Sequence, residues 1–238
     1  MTSLKNSGKY QSFSISNSTV VGVFGWMFYG LLLTAISSFG LFLLAANEII
    51  PLDTFMTIMV IALIAYIVLT FVSVFVMSRT ESKVTALIMF SLYAITLGCA
   101  LSSIFVVASI TEVIYALATT SVVFGIMALY GYFTKRDLTR FGSLLTMFLI
   151  GAVVMSLING LLSFLLGPTV YTTMYWIISY VILGVMIGYV AYDVQQLKRA
   201  AQAGALHSAL PIFLAFNLYV DFISIFLRIL EIIMRNRD

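Results

Sequence analysis

The sequence predicts an all-α integral membrane protein, a seven-transmembrane-helix bundle, and three observations carry that expectation. Only 12 Lys or Arg and 9 Asp or Glu occur in 238 residues, so 9% of the chain is charged against 62% hydrophobic. A soluble domain carries about 25% charge and needs it to solvate its surface. The charges also stand far apart, separated by apolar stretches of the roughly 20 residues that a helix needs to cross a hydrocarbon layer of about 30 Å. Finally, Lys and Arg gather in alternate gaps between those stretches, as expected where short basic loops stay on the cytoplasmic side.

The elements follow from the charges as punctuation. Residues 1–19 are rich in Ser and Asn and have no apolar core followed by a small-residue cleavage site, so they are expected to form a flexible cytoplasmic arm and not a signal peptide. Residues 20–238 are expected to be a single seven-helix transmembrane domain. No charge occurs between Lys9 and Glu48, which places a first helix near 20–46. Uncharged runs from Asp53 to Arg79, Lys83 to Glu112 and Glu112 to Lys135 place helices near 54–78, 84–108 and 112–133. The run from Arg140 to Asp193 is long enough for two helices, near 142–166 and 172–198, with Gly167-Pro168 as the break between them. A last apolar run places a seventh near 209–234. No fixed-period repeat and no appended soluble domain are expected.

The N-terminal arm and every second loop hold Lys5, Lys9, Arg79, Lys83, Lys135, Arg136, Arg140, Lys198 and Arg199, whereas the intervening loops hold only Glu48, Asp53 and Glu112. The positive-inside rule therefore predicts a cytoplasmic N-terminus. Arg235 and Arg237 disagree, because seven crossings put them outside; a re-entrant last segment would keep them inside. Seven crossings are preferred, since six helices have set the orientation before these charges are reached.

The net charge of +3 comes from residues scattered in twos and threes, which read as loop charges and not as a phosphate track, so no nucleic-acid partner is expected. The lone Cys99 excludes a disulfide framework, a thiolate zinc site and a redox pair. His207 is the only histidine and reads as a loop residue. Asn159 and Asn217 are expected to form interhelical hydrogen bonds. Gly184 and Gly188 have the G-x-x-x-G spacing of close helix approach.

What remains at membrane depth is Asp193 and Asp221, and towards the end of the last helix Arg228 and Glu231. A carboxylate inside a bilayer is costly, so it faces a bundle interior and marks a pathway or relay. Asp221 lies ten residues past Pro211, roughly 15 Å into its helix at 1.5 Å per residue, whereas Asp193 lies only about 7 Å before Lys198. The two meet only if the sixth helix continues past Lys198 or the seventh begins below the membrane surface. If they meet they share a proton and titrate as a unit, which makes a proton-operated switch; the bland reading is that each merely bonds a broken helix. Arg79 ends the second helix on the side where the sixth ends, so it is either a counter-charge for Asp193 or a topology anchor. Arg228, Glu231 and Arg235 read as helix-end electrostatics, with Glu231 and Arg235 as an i, i+4 pair.

Three blocks carry a family resemblance: MALYGYFTKRDLT at Met127 to Thr139, AYDVQ at Ala191 to Gln195, and NLYVDFIS at Asn217 to Ser224. With Gly25-Trp26-Met27 and Leu31 to Ala35, they resemble the signatures of bacterial members of the Bax inhibitor-1 (transmembrane Bax inhibitor motif) family. Val194 stands where Thr is frequent and Ser224 where Asn is frequent, so the polar contacts around the aspartates carry over less securely than the aspartates themselves. The resemblance implies a seven-helix bundle with the C-terminal helix central, located in the bacterial plasma membrane. It implies a pH-sensitive calcium leak in which Asp193 and Asp221 sense pH and Arg79 is a candidate latch of the closed form. Calcium is expected as permeant ion, in transient contact with Asp193 and Asp221, with no tightly bound cofactor.

Two other functions compete. An intramembrane aspartyl protease also uses two aspartates on neighbouring helices, one preceded by Tyr as in Tyr192-Asp193, but it places G-x-G before the second; Asp221 here follows Leu218-Tyr219-Val220, so no enzyme is expected. A regulatory protein with a membrane-protein partner, such as a modulator of a membrane protease or of stress survival, is the broader alternative.

Overall fold

The computed structural model describes residues 2–166, 171–203 and 208–235; side chains are described from residue 18 onward, apart from those of 164, 166 and 171–173. The expected arm therefore lies largely outside the described side chains, and Gly167-Pro168, His207 and Arg237 lie outside the described residues. The described chain is all-helical: α1 Thr2–Ala46, α2 Leu52–Met77, α3 Lys83–Leu101, α4 Ile104–Val107, α5 Ile110–Phe133, α6 Thr139–Leu166, α7 Tyr171–Ala203 and α8 Leu210–Arg235. Seven helical stretches among the described residues are long and apolar enough to cross a membrane, beginning with Ser18–Ala46. The 26-residue α8 is unbroken and measures roughly 39 Å at 1.5 Å per residue. It is long enough to span a hydrocarbon layer of about 30 Å.

Two boundaries differ from the expected ones for physical reasons. The third crossing was expected as one helix, yet it breaks between α3 and α4 at Ser102-Ser103. Ser102 Oγ donates to the Cys99 carbonyl at 2.7 Å and Ser103 Oγ to that of Ala100 at 3.3 Å. Such side-chain bonds offer the backbone an alternative to the helical ladder. The second difference is at α7, which runs past Lys198 to Ala203 because nothing in Arg199 to Ala203 stops a helix.

The chain divides into two compact units. The first comprises Met1–Thr111 with Leu197–Tyr219, the second Glu112–Gln196 with Val220–Asp238. In the first, α3 packs against both α1 and α2. Its core is aromatic: Phe90, Tyr93, Phe216 and Tyr219 are at most 2% exposed, with Tyr93 and Phe216 ring centres 4.9 Å apart and edge-on. The Tyr219 hydroxyl is satisfied by Thr34 Oγ1 at 2.6 Å, as a buried polar tip requires. α1 ends with Glu48 in the left-handed region (φ 55°), where Glu48 N–H bonds Ala45 O and Ile49 N–H bonds Leu44 O. This is the reciprocal closure usually built on glycine. In the second unit α5, α6, the bulk of α7 and the last turns of α8 supply the core.

Burial is uneven among the crossing helices. In the most apolar window of each, 56% of α8 is buried, against 11% for the α2 span and at most 33% for the others. The large exposed residues include Phe71, Phe133 and Leu157, a distribution suited to hydrocarbon and not to water.

Candidate functional site

In the second unit, α7 supplies Ala191 to Gln195 at a close helix crossing. A Cβ on Gly131 of α5 would run into the Ala191 carbonyl and Cα, so only glycine lets the two backbones approach this near. One turn of α6 makes a similar allowance, since a Cβ on Gly142 would strike the Tyr192 ring. Gly188 packs against Leu145 and Phe141 of α6, whereas Gly184 has open space beside it. Half of the G-x-x-x-G spacing therefore serves close packing.

The crossing leaves Asp193 half-buried. α8 brings in Asp221, 6% exposed, next to Phe222, whose ring packs edge-on against Phe124 of α5 at 5.5 Å. The two carboxyl groups meet side chain to side chain within hydrogen-bonding reach. A carboxylate only accepts, so a bond between two carboxyls requires a proton on one of them. Asp221 Oδ2 is buried and accepts no hydrogen bond from a protein N–H or hydroxyl, which leaves it for the shared proton, a water or a cation. One turn before Asp193, the Tyr189 hydroxyl is bonded to Thr146 Oγ1 at 2.8 Å. Of the two geometric conditions for a meeting of the aspartates, continuation of α7 beyond Lys198 is met.

Arg79 is exposed at the end of α2, in the first unit. Its guanidinium lies over the ring of its own helix neighbour Phe75, 4.0 Å from the centroid. Among the described residues no three His, Cys, Asp or Glu side chains converge.

Two features were missed in the sequence. Gln195, 6% exposed, clamps the loop between α5 and α6: Leu138 N–H donates to its Oε1 at 2.9 Å, and its Nε2 donates to the Arg136 carbonyl at 2.7 Å. Nothing in an isolated Gln signals a backbone partner from a loop some 60 positions earlier. The second is a correction at the end of α8. Glu231 pairs with Arg228 at 3.0 Å and not with Arg235, whose guanidinium stacks over Trp176 at 3.8 Å. A large flat ring within reach competes well for an arginine.

Residues 16–238 match the family model described as inhibitor of apoptosis-promoting Bax1. The chain is 36% identical over 223 residues, 90% of both chains, to the inner membrane protein YbhL of Escherichia coli strain K12. It is 31% identical over 242 residues, 96% of both, to an uncharacterized protein of Borreliella burgdorferi. An uncharacterized membrane protein of Streptococcus pyogenes serotype M3 is 35% identical over 173 residues, 71% of this chain and 72% of its own. With seven crossing helices, paired carboxyls on the last two of them and a match over nearly the whole length, this chain is an integral membrane protein of the Bax inhibitor-1 family.

Proposed function

We propose that the protein is a pH-sensitive calcium leak, not an enzyme, residing in a bacterial plasma membrane with its N-terminus in the cytoplasm. The observation that carries the proposal is the pairing of Asp193 and Asp221, two carboxyl groups brought within reach of each other on helices long and apolar enough to cross a membrane. In the protonated pair the two carboxyls hold each other through one hydrogen and carry at most one negative charge. Removing that proton leaves two anions in contact, a state that needs a cation between them or a wider separation of the helices that bear them. Calcium is suited to the first role, being a hard cation that prefers oxygen ligands. Proton and calcium thus compete for the same oxygens, among them the buried Asp221 Oδ2, which no protein donor satisfies. The alternation of basic loops supports the orientation, and the name of the Escherichia coli relative supports the membrane.

The test is calcium flux into vesicles reconstituted with purified protein and a trapped indicator, followed from acidic to neutral pH. Wild-type flux should change across that range, and Asp193→Asn and Asp221→Asn should each flatten the response, because an amide offers no titrating proton. A pH profile unchanged by both substitutions overturns the proposal.

A further inference from the structure

α7 and α8 carry a second polar cluster within the second unit, and the aspartate pair makes no use of it. Its centre is Glu231, ten positions beyond Asp221 and so roughly 15 Å further along α8. Its carboxylate is held from three directions. Tyr175 donates its hydroxyl hydrogen to Oε1, Ser179 Oγ donates to Oε2 at 3.3 Å, and Arg228 Nη1 donates to the same Oε2 at 3.0 Å. Arg228 Nη1 also donates to Ser179 Oγ at 3.2 Å. Beside the cluster lies a cavity of about 420 Å³, lined by Ile182 and Met186 of α7 and by Ser224, Leu227, Arg228 and Glu231 of α8. Ser224 donates its own hydrogen to the Val220 carbonyl at 2.7 Å, so its lone pairs remain free towards the cavity.

Both hydrogen bonds of Arg228 Nη1 go to oxygens, and the anionic one is a carboxylate. A hard metal cation asks for the same donor set. The cavity supplies what a plain structural ion pair would not need, a volume into which a long flexible side chain can swing with water around it. Both charges also sit on a helix that crosses the membrane, where an ion pair is retained at a cost and marks a pathway.

We propose that Glu231, with Tyr175 and Ser179, forms a cation site that Arg228 fills as a tethered competitor, so that a divalent cation occupies the site only by displacing the guanidinium into the adjoining cavity. The inference rests on the reading of the protein as a cation leak, but it does not need the aspartate pair to be the pH sensor. Arg228 sets the resting affinity of the site, and its positive charge keeps the leak small.

The experiment compares thermal unfolding of the full-length protein in detergent with calcium chloride, and with sodium chloride at matched ionic strength. Arg228→Gln should gain a calcium-dependent rise in Tm, because a ligand that binds only the folded state stabilises it by mass action. Its apparent affinity should exceed that of wild type roughly fivefold, as expected on removing a part-buried competing charge worth about 1 kcal/mol. Arg228→Lys keeps a tethered cation and should resemble wild type. The double variant Arg228→Gln with Glu231→Gln should lose the gain. In vesicles, Arg228→Gln should raise calcium flux and leave its pH response intact, and Glu231→Gln should lower flux. If Arg228→Gln folds, as judged by a monodisperse elution profile, and shows no calcium-specific Tm shift, the inference is overturned. If it does not fold, unchanged flux in Glu231→Gln overturns it instead. Calcium binding by Arg228→Gln with no flux from any variant keeps the site and sinks the leak; lost pH response in the aspartate variants with no effect at Arg228 and Glu231 does the reverse.

Discussion

The clamp made by Gln195 permits a quantitative prediction. Its side chain is buried and bonded at both ends to the backbone of one loop, accepting from Leu138 N–H and donating to the Arg136 carbonyl. Gln195→Leu preserves the volume closely and removes both bonds. Each is worth about 0.5–1.5 kcal/mol net, and the loss is enlarged because the Leu138 amide, on a residue 7% exposed, is left without a partner, so the local cost is about 2–4 kcal/mol. The loop reports on this directly, since Lys135 and Arg136 are exposed and are trypsin targets once the segment opens. When opening is fast relative to cleavage, the rate follows the open population, and 2 kcal/mol corresponds to roughly a thirtyfold faster cut. Gln195→Glu should fall between, because a carboxylate still accepts from Leu138 N–H but cannot donate to the Arg136 carbonyl. Limited proteolysis in detergent with mass identification of the cut at 135–136 is the assay. Cleavage of Gln195→Leu within about threefold of wild type would refute the reasoning, since the two bonds would then hold nothing that the rest of the loop does not.

Other consequences can be checked with simpler variants. Gly131→Ala should destabilise the protein by about 1–3 kcal/mol in detergent denaturation, as overpacking against the Ala191 backbone forces α5 and α7 apart. Gly125→Ala, on the same helix with open space at its Cβ, should be neutral or stabilising by up to about 1 kcal/mol, so equal losses at the two sites would contradict the close-approach argument. Glu48→Gly relieves a left-handed non-glycine residue and should raise stability by about 0.5–1 kcal/mol; a fall in Tm would show that the Glu48 side chain matters more than its backbone. Tyr219→Phe removes the bond to Thr34 and should cost about 0.6–1.5 kcal/mol, the range for a buried hydrogen bond between membrane helices, with full recovery on adding Thr34→Val if the pair is all that is lost.

The crossing helices were legible because the signal for them is a sum over about 20 residues of one chemical character, and no tertiary contact can reverse it. Ends were legible to within a few residues at most of the charges and turns, but α7 runs on through Lys198 and Arg199 to Ala203. The break at Ser102-Ser103 was not, because hydropathy stays high on both sides while the cause is a pair of hydroxyl-to-carbonyl bonds. Asp193 and Asp221 stood out by the cost of their burial, but residue counting left open whether they meet, since it cannot tell that α7 runs on to Ala203. Gln195, Tyr175 and Ser179 were invisible for another reason: each is an ordinary residue made special by a partner 50 or more positions away. The partner of Glu231 was misread because Arg228 and Arg235 are both within a helical turn of it, and only the placement of Trp176 decides which one it keeps.

The unequal enclosure of the helices bears on how this sequence can change. A residue on α2, with 11% of its window buried, meets mostly hydrocarbon, and one apolar side chain is nearly as good there as another. More than half of the α8 window is buried, and at those positions a change of one methylene is felt by the neighbours. Random apolar substitution should therefore drift freely through Leu52–Met77 and stall in Leu210–Arg235. One of the recognisable blocks falls on α8 and none on α2, the most and the least enclosed of the crossing helices.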